Sequence, residues 1–192
     1  MQTRFNMHAR IPLPDPQLLS PAGRKVYDSI LASRGNLDGP FLAWLHSPGL
    51  ADPAEKLGAF CRYDTKLLPI ESELLILLVA ARYRCTGEWQ IHQPIAERSG
   101  LDAALIEDIR VGRPPRLQEP RLVALHLFAA ELLSNNHVSD WVYDDAIRYF
   151  GRQGVVELVG ILGYYALVAM TLNAFEMKLK REDSPDPFPS QA

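Results

Sequence analysis

The sequence predicts an all-α protein, and three observations carry that expectation. Apolar residues recur at helical spacing through most of the chain, and no stretch shows convincing alternation of period two. Proline or glycine marks the boundaries of several periodic segments, as at Pro21, Gly35, Pro69, Gly100 and Gly112. The lone Asp38-Gly39 leads into a helical segment rather than joining two strands. The chain has 192 residues, 47% of them hydrophobic and 22% charged. That is enough to bury a sizeable core without staples, and it excludes an intrinsically disordered chain.

Residues 1–19 carry Pro12, Pro14 and Pro16 and read as an extended arm, because proline fixes φ and removes a backbone donor. Ser20-Pro21 then places a capping hydroxyl before a proline at the first helical position, and the helix runs to about residue 33. Gly35, Asn36 and Gly39 end it. Residues 40–46 read as a short helical turn, and Ser47-Pro48 repeats the cap-proline start for a helix to about Tyr63. Pro69 opens the most apolar early segment, residues 70–83. Its length and its two early acids, Glu71 and Glu73, favour a helix over a buried strand. Further helices are expected over 88–99, 102–111, 119–134, 140–150 and from 153 to about 180. Together they give one helical domain over 20–180 and a flexible tail over 181–192.

Lys and Arg number 20 and Asp and Glu 23, a net charge of −3, with the basic residues scattered singly or in pairs. A nucleic-acid binder concentrates basic residues on one face, so that partner class is excluded. Two cysteines, Cys61 and Cys85, are too few for a disulfide scaffold, and neither they nor the five histidines show metal-ligand spacing. No metal is expected. The first 16 residues lack the apolar core of a signal peptide, which points to a reducing, cytoplasmic setting. Residues 158–175 run for 18 positions without a charge, between Glu157 and Glu176. The run contains Gly160, Gly163, Thr171 and Asn173 and has no flanking positive cluster, so a helix buried in a core or an oligomer interface is expected, not a membrane span.

Chemistry concentrates between Glu73 and His92. Residues 88 and 92 are one helical turn apart, so the Glu88 carboxylate and the His92 imidazole share a face. Cys85 extends that stripe if the helix begins early, while Ile91 and Ile95 place the imidazole beside the apolar side. A carboxylate next to a half-buried histidine fixes its tautomer and favours its protonated form, which suits a general acid or base near neutral pH. Spacing alone equally allows an ordinary, partly exposed helix pair contributing a few tenths of a kcal/mol. Arg62, Arg82 and Arg84 could hold a substrate carboxylate, and Tyr63, Tyr164 and Tyr165 could line a pocket. His46 reads as a capping or packing residue, and His8, His126 and His137 show no ligand spacing.

The segment Glu73…Cys85-Thr-Gly-Glu88-Trp89-Gln-Ile-His92 resembles the carboxymuconolactone decarboxylase family, which includes the alkyl hydroperoxidase D branch. In the peroxidase branch a glutamate on one helix precedes Cys-x-x-Cys-x-x-x-His at the start of the next. Glu88 stands here where the second cysteine would be. The decarboxylase version, Glu followed by Glu-aromatic-x-x-His, is matched at Glu73, Glu88, Trp89 and His92. Residues 39–48, 154–160 and 163–175 also look like segments of longer members, so the resemblance covers roughly residues 20–179.

The resemblance implies a compact alkyl hydroperoxidase D-like helical fold and a homo-oligomer, a trimer or hexamer. It implies cofactor-independent decarboxylation of a small carboxylated lactone, which serves as its own electron sink. His92 would donate the proton, Glu88 would orient it and Glu73 would act as a second orienting or relay carboxylate. Trp89, Tyr63 and Cys85 would meet the substrate. Two rivals stand beside this reading. One is a peroxidase or thiol-dependent reductase, disfavoured because a neighbouring carboxylate raises a thiol's pKa. The other is a non-catalytic helical oligomer in which Glu88 and His92 are a structural pair.

Overall fold

The computed structural model describes residues 7–12, 14–180 and 186–188. Its elements in chain order are β1 (Met7–His8), α1 (Pro21–Arg34), α2 (Phe41–Trp44), α3 (Pro48–Ala59), α4 (Pro69–Arg82), α5 (Thr86–Ser99), α6 (Ala103–Arg110), α7 (Pro120–Asn135), α8 (Asp140–Ala174) and β2 (Lys178–Leu179). The all-α expectation holds, with a two-stranded antiparallel pair, Met7 opposite Leu179, as an addition. The part of the 1–19 arm that is described therefore pairs at one point, and it also carries a single 3-10 turn at Pro16–Leu18.

α4 is the centre of the molecule. Leu74, Leu75, Ile76, Leu77, Val79 and Ala80 are all essentially inaccessible, so the helix is apolar on every side because neighbours cover every side. It packs chiefly on α5, α7 and α8. Its entry is held by Glu71, whose carboxylate accepts from the Leu68 N–H at 2.8 Å and also bonds Arg121. Ser20 caps α1 as expected, accepting from the Gly23 N–H at 3.1 Å. Ser47 makes no such bond at the start of α3.

The helix expected to end near Tyr63 instead widens over Phe60–Asp64 into a π-turn. Such insertions recur at functional sites, and this one carries Arg62 and Tyr63. The separate helices expected over 140–150 and 153–180 meet at Gly151, whose backbone (φ 65°, ψ 173°) breaks the helical path and favours glycine. The second ends at Ala174, not near residue 180. Glu176 turns the chain in a left-handed conformation and Lys178–Leu179 becomes β2. β2 packs against α5, and the Leu179 N–H donates to Gln90 Oε1 at 2.9 Å. Gly87 permits that approach, since a Cβ there would lie 2.3 Å from the Met177 carbonyl oxygen.

The uncharged stretch of α8 is mostly a core helix. Leu158, Ile161, Leu162, Val168, Ala169 and Leu172 are buried. The tail departs from the expectation of a flexible end at residues 186–188. Phe188 is buried edge-to-face on Trp89 at 5.3 Å, and Asp186 accepts from the Thr86 hydroxyl at 2.7 Å. Burial of a large ring, with a polar anchor two residues before it, holds the chain down. The remaining residues of 181–192 lie outside the described ones.

Candidate active site

α4 and α5 lie side by side, and this brings Glu73 of α4 onto the imidazole of α5. His92 Nδ1 meets Glu73 Oε2 at 2.8 Å, and Nε2 meets Glu88 Oε1 at 3.1 Å. The three side chains expose only 7%, 6% and 3% for Glu73, His92 and Glu88. The pair is thus buried, not the partly exposed helix pair that spacing alone allows. Packing of α8 explains this, because the Tyr165 ring lies edge-on to the imidazole at 5.3 Å.

Arg62 comes from the π-turn and faces Glu73 Oε1 at 3.5 Å. Its approach to His92 Nδ1 at 3.4 Å joins two donors, since Nδ1 already donates to Glu73. Two basic and two acidic side chains therefore form a largely buried group that balances in charge when His92 is protonated, the arrangement that makes burying charge tolerable. Burial alone would lower the His92 pKa. The negative charge of Glu88 and the hydrogen bonds to Glu73 and Glu88 outweigh it and raise the pKa above the usual histidine value.

His92 and Glu88 face a cleft of about 350 Å³, whose other walls include Arg34, Phe41, Arg62, Tyr63 and Tyr164. Glu73 is not part of the lining and sits behind His92. The lining rings of Phe41, Tyr164 and Tyr165 are tied together edge to face through the buried Trp44 behind them, Phe41 on Trp44 at 5.9 Å, Trp44 on Tyr164 at 6.2 Å and Tyr164 on Tyr165 at 5.3 Å. Gly58 makes room for this, as a Cβ there would fall 2.1 Å from the Tyr164 hydroxyl oxygen.

The structure brings Glu73, Glu88 and His92 into contact and places Tyr63 on the wall of the same cleft. It places two others elsewhere. Trp89 is buried against Phe188 with its indole N–H on Gln93, and lines no part of the cleft. Helical spacing leaves Trp89 beside His92, three residues on, and it is the contact with Phe188 that holds its ring out of the cleft. Cys85 is buried beneath the start of α5, also outside the lining. Burial and the neighbouring Glu88 push its thiol up to about 12, and burial with Glu157 pushes Cys61 to about 11. Neither is a thiolate at neutral pH. Among the other arginines considered, Arg82 and Arg84 lie away from this cleft. His46 lies outside the cleft and is exposed, its Nε2 2.7 Å from the Pro12 carbonyl oxygen.

Arg34 was not legible as a site residue. It reads as an ordinary cation in the last turn of α1, yet it lines the cleft and lies over the Phe41 ring at 4.7 Å. Its Nε and Nη2 are buried without a hydrogen-bond partner, and no other buried side-chain nitrogen or oxygen among the described residues is left so. An unsatisfied buried donor costs about 1–3 kcal/mol, so its position calls for an explanation.

Among solved structures the chain is similar to the AhpD core protein of Ralstonia eutropha JMP134, described as an uncharacterized peroxidase-related protein. The TM-score is 0.73 at 15% identity, covering 91% of this chain and 93% of that one. The chain has the AhpD-like fold. A peroxidase-related protein from Silicibacter sp. TM1040 matches at TM-score 0.70 and 16% identity, over 91% of this chain and 93% of that one. The debrominase Bmp8 matches at 0.69 and 15%, over 92% of each chain. No protein-family model and no curated protein matches the sequence.

Proposed function

We propose that this AhpD-like protein is a cofactor-independent acid–base enzyme acting on a small anionic substrate, with decarboxylation of a carboxylated lactone such as 4-carboxymuconolactone as its reaction. The observation that carries the reading is the Glu73–His92–Glu88 chain, buried, charge-balanced and ending in a cleft. Glu73 fixes the Nδ1–H, so the proton available to the cleft is the one on Nε2, shared with Glu88. Loss of carbon dioxide breaks a carbon–carbon bond and sends its electron pair through the conjugated double bond to the lactone carbonyl oxygen. The imidazolium then protonates the α-carbon, a contribution of typically 10²–10⁴-fold. Cationic groups at the cleft would stabilise the developing enolate. The donors of Arg34 that lack a partner suit a substrate carboxylate, which would relieve their unsatisfied burial.

The thiol alternative has less support, because both cysteines are buried with raised pKa values and neither lines the cleft. The test is direct. Purified protein incubated with 4-carboxymuconolactone should release carbon dioxide, and His92→Ala should not. Peroxide consumption with a dithiol, with no release of carbon dioxide, would replace this reading with the thiol one.

A further inference from the structure

A second cavity, about 620 Å³ and larger than the cleft, opens where the end of α4, the exit of α6 and the face of α7 meet. It shares no lining residue with the cleft. Leu78, Ala81, Ile109, Ala130 and Leu133 give it an apolar wall, and Arg82, Arg84, Arg110 and Arg113 stand around it. Among the described residues no Asp or Glu lines it, in a chain with more acids than bases. The remaining titratable lining group is His126, whose pKa burial lowers, so it is neutral at pH 7.

The arginines are held in place from outside the cavity. Glu107 binds Arg110 Nε at 2.7 Å and Asp108 binds Arg113 Nε at 2.8 Å. Arg82 Nε donates to the Leu133 carbonyl at 3.2 Å, and Arg110 Nη1 to the Pro187 carbonyl at 2.6 Å. The segment 186–188 closes one side, with Phe188 buried on Trp89 and the Arg84 guanidinium 5.8 Å from its ring centre. Glu107 and Asp108 offset Arg110 and Arg113 from outside, while the rim the cavity presents is basic, with no acidic side chain among the described residues lining it. An anion that meets this rim while covering the wall gains on both counts.

We propose that this cavity binds a small amphipathic anion, its apolar body against Leu78, Ile109 and Leu133 and its carboxylate or phosphate head among the arginines. Planar guanidinium groups recognise both heads bidentately. The volume falls in the range of about 300–1,000 Å³ typical of small-molecule sites.

Calorimetric titration with decanoate, decyl phosphate, decanol and decyltrimethylammonium tests this. One equivalent of decanoate or decyl phosphate should bind at least about tenfold more tightly than decanol, and the cation should not bind. The ratio between the two anions identifies the preferred head. Arg113→Glu should weaken the anion about tenfold or more while also lowering the melting temperature, because it strands the buried Asp108 carboxylate, and Ala130→Trp, which fills the apolar wall, should abolish binding. Arg82→Gln provides a second rim variant with the same expected direction. Decanol binding as tightly as decanoate, full affinity in Arg113→Glu and Arg82→Gln, or undiminished binding in Ala130→Trp would each overturn the proposal. So would a wild-type protein that binds neither anion.

Discussion

Replacing His92 with alanine should destabilise the fold far more than removal of a surface partner. The imidazole stands 2.8 Å from one buried carboxylate and 3.1 Å from another. Once it is gone, Glu73 still faces Arg62 at 3.5 Å, whereas Glu88 keeps no comparable cation. Removing one partner of a buried ion pair costs about 3–5 kcal/mol, against roughly 0.2–1 kcal/mol for an exposed pair such as Lys56 with Asp52. At about 2–4 °C per kcal/mol for a chain of this size, the melting temperature should fall by roughly 6–20 °C. Glu88→Gln combined with His92→Gln should recover much of that loss, because no charge is stranded. The wild type has a matching pH signature. The folded pKa of His92 is raised, so its stabilisation is complete below the unfolded value near pH ~6.5 and is lost as pH rises through the folded value. Thermal denaturation of the wild type and three variants across pH 5–9 measures this, with Asp52→Asn as the exposed control. A His92→Ala shift no larger than that control's would refute the premise that the buried group is charged.

The remaining expectations concern activity, thiols, packing and assembly. Turnover should fall as pH rises through the His92 pKa, because the acid form is needed, and Glu88→Gln should move that fall to lower pH by removing the main charge favouring imidazolium. A pH–rate profile of the two proteins checks the direction. Cys85→Ser should keep most of the activity, and native Cys61 and Cys85 should react slowly with a thiol reagent near neutral pH, as buried thiols raised to about 11 and 12 must. Gly58→Ala should lower stability by about 1–3 kcal/mol in denaturant titration, since the new methyl meets the Tyr164 hydroxyl. Val156, Val159 and Met170 are exposed along one face of α8, with Gly160 and Gly163 between them. Sedimentation should therefore show a homo-oligomer that Val156→Arg or Met170→Arg dissociates, and a monomeric wild type would refute that.

Local information in the chain was enough for the helices and for the chemical core of the site. Ser20-Pro21 and Gly35 bound α1 through capping and a left-handed turn, both properties of single residues. Glu88 and His92 share a face because the helical period is 3.6, but that period leaves Trp89 three residues from His92 and close to the same face, so its placement against Phe188 was not readable from spacing. Other features depend on contacts between distant segments. Nothing local places Glu73 on His92 Nδ1, 19 residues away, until α4 packs on α5. Full burial of the pair requires Tyr165 from α8, and the orphaned donors of Arg34 exist only because Phe41 and the cleft surround them. The docked Phe188 and the pairing of Met7 with Leu179 join the two ends of the chain to α5 and to each other. Caps, periods and turns are short-range steric and hydrogen-bonding effects that the sequence encodes directly. Burial, and the electrostatics that burial strengthens, exist only after the helices have met.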